Sequence, residues 1–311
     1  MIVNPDIRTY GSAVMPDSDS PTNIGGAIDT SRSVVFVDGS GALQAVSSDD
    51  GDTTQSLTVS YLDSGGDVQT LVLDLDGQTP VTDATAIVSI VKAIKGATCA
   101  GVVSLEFQSA VRSGTCQGGS SGAVTLDAGA SSVDDYYRDM VCRLTDSGQI
   151  TRILDYDGAT KIAHVSGTLS PVPTGSSTFV VSRGMVFEVL PDELMEIRAL
   201  MVGADVARTG HYVEKYFLKN CSGSDLTSAV LHLISEPSGR ITFGAAAVDD
   251  DGDNGAFNRA TLPAGISFDV DDVSIGTVAA GSAVPVWLDL SLLAAGAKTV
   301  EALDLVLQAD A

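Results

Sequence analysis

Short stretches of alternating apolar and polar residues, separated by turn residues, recur along the chain. Ser56 to Tyr61 alternates with a period of two, and Val68 to Leu75 places its leucines on one face. The connecting residues Asp63-Ser64-Gly65-Gly66 form a short loop that contains glycine. Because successive side chains of a strand point to opposite faces, two such runs joined by a short loop predict a β-hairpin.

The first third of the chain contains further strand candidates. They are Val34 to Val37, Leu43 to Val46 and Val102 to Phe107. The run Ile87 to Ile94 fits either a strand or one short helix, because its apolar spacing suits both. We therefore expect residues 1–115 to form an N-terminal β-sandwich module.

The middle of the chain begins with Gly114 to Gly122, a segment of small residues that is typical of a linker. Five short strand candidates follow it: Ala123 to Leu126, Met140 to Leu144, Gln149 to Tyr156, Lys161 to Val165 and Thr178 to Val181. So many short strands in one segment predict a small β-barrel or meander module over residues 116–184.

Strand candidates also dominate the last third. Leu190 to Val202 is interpreted as a short helix or an irregular connection that begins at Pro191. Beyond it lie Tyr212 to Lys219, Ala229 to Ile234, Ile241 to Ala245, Val284 to Leu293 and Val300 to Leu307. These runs predict an immunoglobulin-like β-sandwich over residues 185–311. The predicted fold class is all-β, with three serial small β-sandwich or barrel modules.

The charge balance narrows the choice of partners. The 311 residues include 17 Lys and Arg against 40 Asp and Glu, which gives a formal net charge of −23. Such a surface would repel nucleic-acid phosphates and anionic membranes, so we expect neither as a partner. The first residues lack the basic start and apolar segment of a signal peptide, and no uninterrupted apolar run reaches membrane-spanning length. We therefore expect a soluble protein.

The cysteines and histidines are too widely spaced to indicate a zinc site or a redox motif. They are Cys99, Cys116, Cys142 and Cys221, and His164, His211 and His232. We interpret the cysteines as reduced and mostly buried. His232 falls in a predicted strand, and we interpret it as a half-buried sheet residue.

One segment formally matches a catalytic motif. Gly118-Gly119-Ser120-Ser121-Gly122 has the G-x-S-x-G form of a nucleophile elbow. That elbow needs a helix after the serine, and because no helical pattern follows here, a linker is the stronger interpretation. Gly296-Ala297-Lys298-Thr299 lacks the glycine before lysine that a phosphate loop requires. We therefore expect no enzymatic activity and no catalytic residues.

An acidic loop is the best candidate for a ligand site. Asp249, Asp251 and Asp253 alternate, so one loop could direct their carboxylates onto a Ca²⁺ ion. The EF-hand pattern fails, because its glycine position holds Asn254 and its final position holds Ala260 instead of glutamate. Two interpretations stay open, a solvated loop and a weak Ca²⁺ site. No other cofactor is expected.

Two further features have ordinary structural interpretations. Trp287, the single tryptophan, lies in an apolar run, where packing in a core or an interface is favoured over stacking on a sugar. The segment Asp49-Asp50-Gly51-Asp52 is interpreted as a plain turn. The many acidic residues leave a glycosidase-type carboxylate pair open, but no spacing selects one.

The middle module carries a recognisable pattern. Its residues are Tyr137-x-x-Met140, Arg143-Leu144-Thr145, Gly148 to Ile153, Asp155-Tyr156-x-Gly158-x-Thr160-Lys161-x-Ala163-x-Val165, Pro173 and Ser176 to Phe179. This pattern resembles a small β-module of virion structural proteins of tailed bacteriophages. The Gly-x-Gly-Gln-x-Arg turn that is usual in that family is shortened here to Asp146-Ser147-Gly148-Gln149.

Segments of the two flanking modules are similar to other phage structural modules. They are Ile24 to Asp29, Thr54 to Gly77, Tyr212 to Asn220 and Leu262 to Gly265. The resemblance implies a non-enzymatic virion component, tail-, neck- or fibre-associated, that is assembled in the host cytoplasm. It implies a homo-oligomer whose partners are other virion proteins of the tail, connector or capsid. A capsid decoration (cement) protein and a receptor- or glycan-binding adhesin are the alternatives.

Overall fold

A computed structural model describes residues 7–15, 22–188, 194–199, 210–235, 241–246, 256–269, 272–292 and 304–310. Every regular element within these ranges is a β-strand, so the predicted all-β class is confirmed. Among the same residues, no helix is long and apolar enough to cross a membrane.

The strands are numbered in chain order. The first twelve are β1 (Ile7–Val14), β2 (Asn23–Asp29), β3 (Arg32–Val35), β4 (Gly41–Ser47), β5 (Ser56–Leu62), β6 (Val68–Asp74), β7 (Val81–Ile87), β8 (Ser89–Lys95), β9 (Val103–Phe107), β10 (Arg112–Thr115), β11 (Gly118–Ser120) and β12 (Ala123–Thr125). The next six are β13 (Val141–Leu144), β14 (Gln149–Asp157), β15 (Ile162–Val165), β16 (Thr178–Ser182), β17 (Gly184–Phe187) and β18 (Glu196–Ala199). The last seven are β19 (Gly210–Asn220), β20 (Leu226–Ser235), β21 (Ile241–Ala245), β22 (Ala256–Asn258), β23 (Val273–Val278), β24 (Ala283–Leu292) and β25 (Asp304–Asp310).

The chain divides into two compact units. Met1–Phe36 and Leu200–Ala311 form one, which we call the terminal unit, and Val37–Ala199 forms the central unit. The predicted module boundaries, 1–115, 116–184 and 185–311, do not coincide with this division. The reason is long-range pairing, because β1 forms an antiparallel ladder with β19 at the other end of the chain. The number of modules and the immunoglobulin-like form of the last one stay predictions.

The terminal unit contains two sheets. Six strands follow the order β21-β24-β19-β1-β2-β22, and three follow the order β23-β20-β25. Apolar side chains from both sheets form one buried cluster. The strand predicted from Val284 to Leu293 is confirmed as β24, and its residues Val284, Val286, Leu288 and Leu290 belong to this cluster.

Strand β19 is buried on both of its faces. Tyr212 belongs to the cluster between the two sheets, and Val213 packs on the opposite face beside Trp287. The core position predicted for Trp287 is confirmed, since its side chain is fully buried. Glu214 and Lys215 of the same strand are buried as well. Their charges therefore need partners inside the unit.

The first part of the central unit is a sandwich of two sheets. Strands in the order β17-β9-β4-β7 form one sheet, and strands in the order β18-β8-β5-β6 belong to the other. The predicted hairpin is confirmed: β5 and β6 pair without interruption from Ser56 opposite Asp74 to Leu62 opposite Val68. Alternate residues of this hairpin, including Leu57 and Leu73, are buried.

The second part of the central unit is a seven-stranded sheet in the order β10-β16-β13-β14-β15-β12-β11. The five predicted strands of this segment are confirmed as β12 to β16. One face buries a cluster that includes Cys142, Tyr156 and Phe179. A smaller cluster of Val141, Ile150, Val186 and Val46 packs this sheet against the sandwich.

Three local predictions differ from the structure. The linker-like segment Gly114 to Gly122 contributes to β10 and forms β11, because its backbone pairs with β16 and β12. The helical alternative for Ile87 to Ile94 is wrong, since these residues end β7 and form most of β8. The helical alternative for Leu190 to Val202 is wrong for Glu196–Ala199, which pairs with β8 as strand β18. Residues 189–193 and 200–209 lie outside the described residues.

Candidate functional surfaces

The predicted calcium ligands cannot be placed. Asp249, Asp251 and Asp253 lie outside the described residues, so the weak Ca²⁺ site stays a prediction. Within the described part of the chain, no group of three or more His, Cys, Asp or Glu side chains is arranged to hold a metal ion.

The residues of the formal G-x-S-x-G match form part of a tight hairpin. Ser120 ends β11 and lies opposite Ala123 of β12. The segment after the serine is therefore a turn and a strand, whereas a nucleophile elbow needs a helix there. The exposed Ser120 hydroxyl accepts a 3.4 Å hydrogen bond from the Gly122 amide. This geometry fits a structural hairpin.

The cysteines and His232 follow their predicted roles. The four cysteines form no disulfide bond, and three of them, Cys99, Cys116 and Cys142, are buried. Burial raises the pKa of Cys116 to about 11 and that of Cys142 to about 12, so both stay protonated thiols at neutral pH. His232 lies in β20 and is partly buried, with its Nδ1 hydrogen-bonded to Asp272.

Asp52 holds together the turn that was predicted from the acidic cluster Asp49 to Asp52. Its buried carboxylate accepts hydrogen bonds from the Ser47 hydroxyl at 2.6 Å and from the amides of Ala100 and Gly101 at 2.9 and 3.0 Å. Burial by itself would raise the pKa of Asp52, but these bonds lower it below its ordinary value. The ionised side chain therefore joins two loops of the sandwich.

Four other aspartates accept hydrogen bonds in a similar way. Hydrogen bonds from neighbouring backbone amides or from hydroxyl, amide or guanidinium groups lower the pKa of each carboxyl. These four aspartates are Asp63, Asp83, Asp127 and Asp157. Asp127 is bound by the guanidinium of Arg112, with Nε 2.9 Å from Oδ1. Asp52, Asp63, Asp127 and Asp157 are thus engaged at turns between strands, whereas Asp83 lies within β7.

A buried layer of charge lies in the terminal unit. The guanidinium of Arg259 is 2.8 Å from the carboxylate of Glu214, and its plane lies over the ring of Tyr212. On the other face of β19, Lys215 donates a 2.9 Å hydrogen bond to the carbonyl of Gly26. The ammonium also lies 5.3 Å from the ring centroid of Trp287. Each of these cations therefore has a hydrogen-bonding partner and an aromatic face.

Asp289 lies on the same face of the sheet as Trp287. Its buried carboxylate is 2.9 Å from Nδ1 of His211, a partly exposed residue at the start of β19. Burial raises the pKa of Asp289, and the contact with His211 opposes part of that effect. The second carboxylate oxygen, Oδ1, has no hydrogen-bond partner among the described residues.

Four residues of the recognised middle pattern, Tyr137, Tyr156, Gly158 and Lys161, converge on one loop around Ser131. The hydroxyl of Tyr156 and the ammonium of Lys161 donate to the Ser131 carbonyl at 2.6 and 3.0 Å, and the Ser131 amide donates to the Tyr137 hydroxyl at 3.1 Å. The Gly158 amide donates to the Asp134 carboxylate at 2.8 Å. We call this set of bonds the Ser131 clasp.

The same loop presents one exposed aromatic ring. Tyr136 is 48% exposed and meets Tyr137 edge to face, with ring centroids 4.9 Å apart. Asp135 and Asp139 beside it have positive φ values of 59° and 62°. The pKa of Asp135 is raised, mainly by burial and to a smaller extent by the nearby carboxyl of Asp155. The loop thus combines an aromatic ring with carboxylates in an uncommon backbone conformation.

The β5–β6 hairpin has an exposed outer face and a free edge. Val68 and Val72 of β6 are 59% and 56% exposed. They lie opposite Leu62 and Thr58 of β5, so the four side chains share one face of the sheet. Among the described strands, β6 pairs only with β5. The alternating pattern predicted this hairpin but gave no sign that β6 would end a sheet.

Comparisons with protein-family models, with curated proteins and with solved structures find no match for this chain.

Proposed function

We propose that the chain is a non-enzymatic structural component of a tailed-phage virion. It assembles as a homo-oligomer on other virion proteins and is associated with the tail, the neck or a fibre. The phage assignment derives from the resemblance of the segment Tyr137 to Phe179 to a virion β-module. The proposal requires that those residues have a structural role. The contacts of several of them are consistent with such a role.

The observation that carries the proposal is the Ser131 clasp. Tyr137, Tyr156 and Lys161 direct their polar atoms to the backbone of one loop. Gly158 is needed in the same place, since a Cβ there would lie 2.4 Å from the carbonyl carbon of Ser132. Four of the residues that carry the resemblance, Tyr137, Tyr156, Gly158 and Lys161, therefore have a structural role in packing and hydrogen bonding within the module.

The charge distribution supports the same role. Four aspartates with lowered pKa values, Asp52, Asp63, Asp127 and Asp157, are bound at separate turns, where they stabilise loops between strands. A rigid β-protein with a strongly acidic surface stays soluble before assembly and favours basic surfaces during docking.

Quantitative mass spectrometry of purified virions tests the proposal. A neck or fibre protein is expected at about 3 to 18 copies per particle. Hundreds of copies would instead identify a capsid decoration protein. Absence from purified particles would refute the virion assignment, and loss of host polysaccharide on incubation with the protein would refute the non-enzymatic one.

A receptor- or glycan-binding adhesin is the second candidate, and the exposed ring of Tyr136 favours it. Aromatic rings beside carboxylates stack on sugar faces and bind their hydroxyls. Under this alternative, Tyr136→Ala should abolish binding of the protein to host cells, whereas Val172→Ala, at another exposed apolar site, should leave it unchanged. If the wild-type protein binds neither host cells nor their surface glycans, the adhesin candidate is excluded.

A further inference from the structure

Strand β6 is a long sheet edge that lacks the usual protection against pairing. Its seven residues, Val68 to Asp74, pair with β5 in one unbroken register, with no bulge. The strand contains no proline, glycine or lysine, the residues that commonly block an edge. An edge strand directs about half of its backbone N–H and C=O groups away from its single neighbour.

The other strands at the edges of sheets in the central unit are short or irregularly paired. Strands β10 and β17 have four residues each, and β11 has three. Strand β7 has seven residues, but its pairing with β4 shifts register between Gly41 and Leu43. Among the described strands of this unit, β6 therefore presents the most regular unpaired edge, beside the exposed side chains of Val68 and Val72.

Acidic residues lie at both ends of this edge. Asp63 and Asp67 precede β6, Asp74 is its last residue, and Asp76 follows it. Hydrogen bonds from the Asp67 amide and the Gln69 side chain lower the pKa of Asp63, so that carboxylate is ionised at neutral pH. The middle of β6 carries no charge, which makes the edge an apolar and β-branched strand between two negative ends.

This charge pattern disfavours a second copy of the chain as the occupant. Two β6 strands related by a twofold axis would pair antiparallel. With Leu71 at the centre, Asp74 of one copy would lie opposite Val68 of the other and next to its Asp67. Like charges would then meet at both ends of the pair, which is destabilising. A strand with basic ends would meet opposite charges instead.

We propose that β6 binds an extended segment of another virion protein, with lysine or arginine at its ends, as an added β-strand. Backbone hydrogen bonds along β6 supply the affinity, and alternate apolar side chains of the segment pack on Val68 and Val72. The four aspartates select a basic segment and speed its association. This inference rests on the proposed structural role, because it names the surface by which the protein joins its partners.

Peptide binding to the full chain tests the inference. The probe is a synthetic Val-Thr-Val-Thr-Val segment with lysines at both ends, and its control has glutamates in place of the lysines. The basic peptide should bind with saturation and protect from hydrogen exchange those amides of Val68 to Asp74 that point away from β5. The acidic peptide should bind at least about tenfold more weakly, and added salt should reduce the difference.

Two sets of variants separate the edge from its charges. Val68→Lys with Val72→Lys should weaken binding of the basic peptide about tenfold or more, while Val133→Lys with Val172→Lys, at other exposed valines, should not. Asp67→Asn with Asp74→Asn should reduce the preference for the basic peptide and leave the fold intact, since both side chains are exposed. The wild-type protein and these three variants are compared by thermal melting.

The inference is overturned if the basic peptide does not bind, if both peptides bind equally, or if protection falls outside β6. Concentration-dependent dimerisation that Val68→Lys with Val72→Lys abolishes would make a second copy the occupant and would also overturn it. A different observation would refute the proposed function, namely the absence of the wild-type protein from purified virions. A wild-type protein that enters particles but binds no basic peptide refutes the inference alone.

Discussion

Arg259 and Glu214 form an ion pair inside the terminal unit, with 2.8 Å between the guanidinium nitrogen and the carboxylate oxygen. The side chain of Arg259 is fully buried, so Arg259→Met would remove a counter-charge from the buried Glu214 carboxylate. We expect the free energy of unfolding to fall by about 3 to 5 kcal/mol, measured by urea denaturation. Adding Glu214→Gln to this variant should recover part of the loss.

A surface ion pair provides the control for this experiment. Arg183 and Asp38 are 3.6 Å apart, and both side chains are well exposed. Arg183→Met should change the free energy of unfolding by less than about 1 kcal/mol, because solvent screens the exposed pair. Equal losses at the two sites would contradict the buried role of Arg259.

The carboxylate of Asp52 should make stability depend on pH. Its pKa is lower in the folded chain than in the unfolded chain, so the stabilisation is complete above the ordinary carboxyl pKa of about 4. It is lost as the pH falls through the lowered folded value. At pH 7, Asp52→Asn should lower the free energy of unfolding by about 1 to 3 kcal/mol, as expected for a charged hydrogen-bond acceptor.

The difference between Asp52→Asn and the wild type should shrink below about pH 4, in urea denaturation curves recorded from acid to neutral pH. Asp50→Asn is the matched control, since Asp50 lies in the same turn and is exposed. If the difference in the free energy of unfolding stayed constant across this pH range, the Asp52 side chain would stabilise the fold by its packing and not by its charge.

Asp289 should show the opposite dependence on pH. Its folded pKa is raised by burial, so the folded chain holds the proton more tightly than the unfolded chain. Stability therefore falls as the pH rises from the unfolded pKa of about 4 through the raised folded value, and the full cost is present above it. Asp289→Asn should therefore raise the free energy of unfolding at neutral pH.

Thermal melting of Asp289→Asn at neutral pH and near pH 3 checks this expectation. The gain should be present at neutral pH and absent near pH 3, where the wild-type carboxyl is protonated in both states. Asp272→Asn is a useful comparison, because Asp272 also contacts a histidine but is exposed. A loss of stability in Asp289→Asn at neutral pH would mean that the contact with His211 outweighs the cost of burial.

Local patterns in the sequence predicted the strands better than their assembly. The β5–β6 hairpin follows from two alternating runs and one glycine-containing loop, and its register agrees with the side-chain period. The pairing of Tyr10 with Phe217 depends on two distant segments, so no local period could indicate it. The segment Gly114 to Gly122 has a flexible composition, but backbone pairing with its neighbours gives it strand structure.

The candidate surfaces were less predictable than the strands. Lys215 and Glu214 stand in an alternating run, where charged residues normally indicate a solvated face. In the structure both are buried, because each face of β19 is covered by an apolar cluster. The free edge of β6 was equally hidden, since the position of a strand in a sheet depends on which other strands pair with it.

Gly158 gives a direct test of the Ser131 clasp. A Cβ at this position would lie 2.4 Å from the carbonyl carbon of Ser132, which is closer than real contacts allow. Gly158→Ala should therefore force the Ser131 loop away from β14 and lower the free energy of unfolding by about 1 to 3 kcal/mol. Gly122→Ala, where a Cβ meets no atom within 4 Å, should be neutral or slightly stabilising. Urea denaturation of both variants makes the comparison, and equal behaviour would refute the close packing of the clasp.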